Sequence, residues 1–182
     1  MARPTHVYLA GIGNSLAPHW QYRWHAADPG GVWVEHASWE EPVRTDWVAD
    51  LDAALRAVAG PKLLVAHSLG CATVVEWAAE HADPGIVGAL LVAAPDPHGP
   101  AFPADATGFD RPSPAPLPFR TVLAASRDDP YAAFGYAEAT AAALGAELVD
   151  LGPLGHVNAA SGLGDWPQGR ELLARLLSPP RA

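Results

Sequence analysis

Ser68 lies in Ala66-His67-Ser68-Leu69-Gly70, between a strand-like run, Lys62-Leu63-Leu64-Val65, and a helix-like run from Cys71 to Glu80. A strand, a sharp turn carrying a serine and then a helix would lift the hydroxyl above a sheet edge. The helix N-terminus behind it would favour negative charge developing there. Glycine is usual two residues before and two after such a serine, because the turn brings those positions together. Ala66 stands at the first of them, so how tightly the turn closes is a question for the fold.

A serine hydroxyl is a weak nucleophile until a base takes its proton, and the base is usually a histidine oriented by a carboxylate. In α/β-hydrolases the chain order is serine, acid, histidine. Downstream of Ser68, the strand-like Thr121–Ala125 leads into Ser126-Arg127-Asp128-Asp129-Pro130. One of the paired aspartates would orient the histidine; the other would cap the next helix or bind Arg127. Only His156 follows them, in the glycine-flanked stretch Leu151-Gly152-Pro153-Leu154-Gly155-His156. An oxyanion hole also needs two backbone N–H donors. Leu69 would supply one. Ile12, or else Gly13, would supply the other from Gly11-Ile12-Gly13-Asn14-Ser15, whose glycines allow close backbone approach.

The elements that must position these residues read as strands alternating with helices. Strands are expected at Val7–Ala10, Val32–Glu35, Leu63–Ala66, Ile86–Ala93, Thr121–Ala125 and Glu147–Asp150. Helices are expected at 45–58, with Thr45 as N-cap and Trp47, Leu51, Leu55 and Val58 on one face, at 131–144 and at 168–177. The alternation predicts an α/β fold: a mostly parallel central sheet of about six strands, helices on both faces, one domain over 1–182. Residues 94–118 break the rhythm with Asp96-Pro97-His98-Gly99-Pro100 and Arg111-Pro112-Ser113-Pro114. They read as a surface connector or a small lid.

Composition narrows the function. Apolar residues make up 49% and charged residues 17% of the 182, which marks a globular chain rather than a disordered one. A net charge of −9 argues against nucleic acid or an anionic membrane as partner. The apolar run after the N-terminus is too short for a signal peptide, and no stretch approaches a membrane span, so a cytoplasmic location is expected. The single cysteine, Cys71, excludes an intrachain disulfide and reads as a small buried hydrophobe. The histidines lack metal-ligand spacing, so neither a metal nor a cofactor is expected. His67 reads as a structural support beneath the turn, and Trp47 and Trp77 as core. His19 and Trp20 are candidates to shape a pocket with Gly11, Gly13 and Asn14.

Taken together, Gly11-Ile12-Gly13-Asn14-Ser15 followed by His19-Trp20-Gln21 and Trp24, the turn at Ala66–Cys71, Ser126–Pro130 and Gly155-His156 resemble the YdeN-like serine hydrolase family over nearly the whole chain. The resemblance implies a compact α/β-hydrolase fold with little or no lid. It implies hydrolysis of small acyl esters and a triad of Ser68, Asp129 and His156, the aspartate directly before proline being the family's acid.

Two other functions compete. A nucleotide-binding oxidoreductase would use Gly11 and Gly13 after a strand and Glu35 as its ribose acid, but Leu16 occupies the third glycine position. A non-catalytic binding protein could keep the same fold. The partner expected is a small acyl ester; oligomeric state is not legible.

Overall fold

A computed structural model describes residues 3–110 and 115–178; the Arg111–Pro114 part of the proline-rich run lies outside the described residues. Six strands form one sheet: β1 (Thr5–Leu9), β2 (Val32–Trp33), β3 (Lys62–His67), β4 (Ile86–Val92), β5 (Thr121–Ala125) and β6 (Glu147–Asp150). Their order is β2-β1-β3-β4-β5-β6, and every pairing is parallel. β3, β4 and β5 are buried at every position but Val87, as strands covered on both faces must be.

Handedness decides where the helices go. From β1 the chain steps outward to β2 through α1 (Trp20–Ala26), then returns past β1 to β3 through α2 (Arg44–Ala57). Right-handed crossovers in opposite directions put these two helices on opposite faces. α3 (Leu69–Glu80) and α4 (Phe134–Leu144) continue in the direction of α2 and share its face, while α5 (Pro167–Leu177) joins α1. Two cores result. One packs Val48, Leu51, Val74, Trp77 and Ala141 on Leu64, Ala66 and Leu91. The other packs Trp20, Trp24, Trp166 and Leu172 on Leu63, Val65 and Leu90. Alternate residues of β3 thus serve opposite faces. The chain reverses direction between β1 and β3, which opens a crevice at their C-terminal ends, the usual ligand position in such sheets.

Several boundaries differ from the sequence reading. α2 begins at Arg44 after Val43, which makes no side-chain cap. Its first turn is held instead by Arg44 N–H donating to Thr107 O at 3.0 Å, beside a Val43–Thr107 bridge, so a tertiary pairing replaces the expected Thr45 cap. Val58 is the C-cap rather than part of the helical face. β2 is cut to two residues. α4 starts three residues late because Tyr131 N–H turns back to Asp129 Oδ1. α1, seven residues long and capped by His19, was not legible as a helix. The described part of 94–118 is an ordered connector: it is tied at Thr107, and Asp96 N–H donates to Tyr131 O at 3.0 Å. No helix of the described residues is long and apolar enough to cross a membrane.

Candidate active site

Ser68 sits at the end of β3, with backbone φ 54° and ψ −126°, and it is the N-cap of α3. A positive φ is costly for a residue with a Cβ, on the order of 1–3 kcal/mol, and is held only where the surroundings fix it. Here Ser68 N–H donates to Val92 O at 2.9 Å, and Cys71 N–H donates to Ser68 O at 2.8 Å. The tight position is Gly70. A Cβ there would stand 2.5 Å from Leu9 O and 2.9 Å from Ala10 O, so only glycine lets α3 close on β1. Ala66 is not the squeezed residue. It is a fully buried member of β3, paired with Leu9 and Leu91, and its methyl is part of the core under α3.

Three residues far apart in sequence meet over this turn. His156 Nε2 lies 2.8 Å from Ser68 Oγ, and His156 Nδ1 lies 2.9 Å from both carboxylate oxygens of Asp129. With Nδ1–H donating to Asp129, the Nε2 lone pair is left to accept the Ser68 proton. Both side chains are shielded, His156 being 9% and Asp129 3% exposed, so their interaction is little weakened by water. The two aspartates divide the work that the sequence left open. Asp128 is exposed and accepts from Ser126 Oγ–H at 2.7 Å and Gly155 N–H at 2.8 Å; these bonds hold its carboxyl below the usual range. Arg127 pairs with neither; it bonds Asp150.

The His156 backbone is held from below. His67, on the α1-facing side of β3, donates Nε2–H to His156 O at 2.9 Å. The Trp20 indole N–H donates to Val157 O at 2.8 Å. Burial drives the His67 pKa well down, with the neighbouring histidines adding to it, so it supports the loop as a neutral ring. His19 is likewise pushed down to about 4 by burial and by proximity to His156. Its Nδ1 accepts Gln21 N–H at the start of α1. Cys71 is buried, its thiol pushed up by desolvation, and it donates to Val92 O.

The Gly11–Asn14 loop crosses in front of Ser68. A Cβ on Gly11 would stand 2.7 Å from Ser68 Cβ, so this glycine serves close approach to the serine. Asn14 N–H donates to Gly11 O at 3.1 Å, and Gly13, at φ +74°, and Asn14, at φ +65°, are both left-handed. Gly13 N–H donates to Trp39 O at 3.0 Å. Among the described residues, hydrogen bonds engage neither the Ile12 nor the Leu69 N–H. Of the two loop amides, Ile12 and Gly13, Ile12 N–H is the one left without a hydrogen bond. No helix follows this loop directly, since α1 begins only at Trp20. A phosphate-binding helix N-terminus of the nucleotide type is thus missing at that point.

The cleft above Ser68 has a volume of about 430 Å³ and is lined by Gly11, Ile12, Asn14, His19, Ser68, Leu69 and His156 among others. Two expected pocket residues are corrected. Gly13 does not line it, because its N–H is turned to Trp39; Trp20 does not, because it is buried under the His156 loop. Sequence reasoning missed the walls: Leu16, Pro95, Phe102, Pro103, Tyr131 and the Asn158–Ala160 stretch. Tyr131, whose ring centre is 4.4 Å from that of His156, had a signal in its place just after Asp129-Pro130. Phe102 and Pro103 had none, for they come from the irregular connector. No Asp, Glu, Lys or Arg lines the cleft among the described residues. Nor do these residues contain a group of His, Cys, Asp and Glu fit to hold a metal.

The serine hydrolase family model matches residues 6–175. A protein from Pectobacterium atrosepticum described as a YdeN-like hydrolase is 29% identical, with a TM-score of 0.83 over 96% of this chain and 90% of that one. The ydeN gene product of B. subtilis is 21% identical, with a TM-score of 0.81 over 97% and 100%. The type II thioesterase BorB of the borrelidin biosynthetic cluster is 18% identical, with a TM-score of 0.70 over 97% and 94%. No curated protein matches the sequence. The chain belongs to the serine hydrolase family, and its fold is the α/β-hydrolase fold of the YdeN-like proteins.

Proposed function

We propose that this member of the serine hydrolase family cleaves small, uncharged acyl esters through an acyl-enzyme on Ser68. The observation that carries the reading is the unbroken hydrogen-bond chain from Ser68 Oγ through His156 to Asp129, beside two unengaged amides. Ser68 Oγ attacks the ester carbonyl as His156 Nε2 takes its proton. The carbonyl oxygen gains the electron pair and is held by the Ile12 and Leu69 N–H groups. When the intermediate collapses, the C–O bond to the alcohol breaks and Nε2–H protonates the leaving oxygen. Water then attacks the acyl-enzyme with His156 again as base, releasing the carboxylic acid and restoring Ser68. Asp129 keeps the Nδ1–H tautomer and stabilises the imidazolium.

The cleft supports the substrate class. About 430 Å³ suits a compact acyl group. Walls without fixed charge disfavour an ionised substrate, whose desolvation nothing there would offset. One reduced, buried cysteine is compatible with work in the cytoplasm. Hydrolysis of p-nitrophenyl acetate by wild type and Ser68→Ala tests the reading. Turnover should vanish, and fluorophosphonate labelling with it; a variant as active as wild type would overturn it.

A further inference from the structure

Among the described residues, the backbone hydrogen bond that ties the loop carrying Ile12 to another segment is Gly13 N–H to Trp39 O at 3.0 Å. His36 lies flat on Trp47, with ring centres 3.9 Å apart and planes at 1°. Trp39 meets both edge-on, at 4.9 Å from His36 and 5.7 Å from Trp47. His36 donates Nδ1–H to Asp50 Oδ2 at 2.8 Å, which fixes the ring on α2. Trp47 Nε1–H donates to Ser38 O at 3.1 Å, gripping the residue just before Trp39. The side chains of Leu69 and Ile12 pack in the same cluster as Trp39, Trp47 and Phe109. One aromatic block therefore touches both segments that carry the two unengaged amides. Among the described residues, no hydrogen bond or ring contact joins its rings to Ser68, His156 or Asp129.

We propose that Trp39 is a positioning residue for the oxyanion site, clamped by His36, Trp47 and Asp50 so that its carbonyl fixes the Gly11–Asn14 turn and keeps Ile12 N–H directed at the reacting carbonyl. The inference rests on the hydrolase reading above. Preorganised donors act mainly on the transition state. Loss of the clamp should therefore lower kcat and leave KM nearly unchanged.

The test compares Trp39→Ala, Trp39→Phe and Asp50→Ala in p-nitrophenyl acetate hydrolysis, with thermal melting of each protein. Removing an oxyanion donor outright typically costs about 10²–10³ in kcat, so loosening one in Trp39→Ala should cost about 10-fold, with KM within about twofold. Trp39→Phe keeps a ring against the stack and should recover most of the rate. Asp50→Ala frees His36 from a partly exposed partner, leaves the Trp39 side chain whole and should lower kcat in the same direction by less. A purely structural role would lower melting temperature while each folded molecule kept the wild-type kcat, and that result would overturn the proposal. An inactive wild-type protein would instead bring down the hydrolase reading, and this inference with it.

Discussion

Exchanging the roles of Gly70 and Ala66 separates turn geometry from core packing. In Gly70→Ala the new methyl would meet Leu9 O at 2.5 Å, and Leu9 C and Ala10 O at 2.9 Å. Those are backbone atoms of β1 and its end, so no side-chain rotation relieves the contact. Cβ atoms essentially never approach closer than 3.0 Å, and α3 must withdraw by at least about 0.5 Å. Ser68 caps α3 and Gly11 follows Ala10, so the shift separates the hydroxyl from the loop bearing Ile12. Overpacking of this kind costs about 1–3 kcal/mol. A misplacement of about 1 Å can cost about 10²-fold in rate, and roughly 10- to 10²-fold is expected here. Ala66→Gly should do the reverse. It deletes one buried methyl and adds backbone freedom, about 1–2 kcal/mol of stability, while kcat stays within about twofold. Urea unfolding and p-nitrophenyl acetate kinetics on both variants give the comparison. A Gly70→Ala protein with wild-type kcat, or an Ala66→Gly protein that folds well and turns over slowly, would refute the assignment of the tight contact to Gly70.

Asp129→Asn should lower kcat about 10⁴-fold by removing the charge that holds the Nδ1–H tautomer of His156. Asp128→Asn keeps an amide oxygen for Gly155 N–H and should cost less than about 10-fold; the opposite ranking would make Asp128 the acid. Stability should fall with acid well before the carboxylates titrate. His19 ionises near 6.5 when unfolded but near 4 when folded. Its contribution is complete above pH 6.5 and is lost as pH falls toward 4, about 2 kcal/mol between pH 7 and pH 5. His67 and His36, also lowered by burial, add in the same direction. Urea melts at the two pH values check this, and His19→Asn, which keeps the cap acceptor for α1, should flatten the slope. A wild-type protein equally stable at both values would contradict it.

The order of the candidate groups along the chain was legible because it is local. Strand, turn and helix around Ser68 follow from residue types within a few positions, and β1 and β5 end where their glycine and aspartate loops begin. The β-rich alternation with helices predicted the parallel sheet, since each crossover needs a helix to cover it. What the sequence could not carry was set by contacts between distant segments. Asp128 and Asp129 are chemically identical neighbours; only the return of the Gly155–His156 loop gives one to the loop backbone and the other to the imidazole. Ile12 and Gly13 offer equal amides until Trp39, which follows β2 in the chain, takes Gly13. The α2 cap came from Thr107 rather than Thr45, and Pro95, Phe102 and Pro103 of the cleft wall came from an irregular connector with no periodicity to read. Local sequence fixes which groups are present and in what order. Which of two equivalent groups does the work depends on packing across the sheet, and the chain folds that information only in three dimensions.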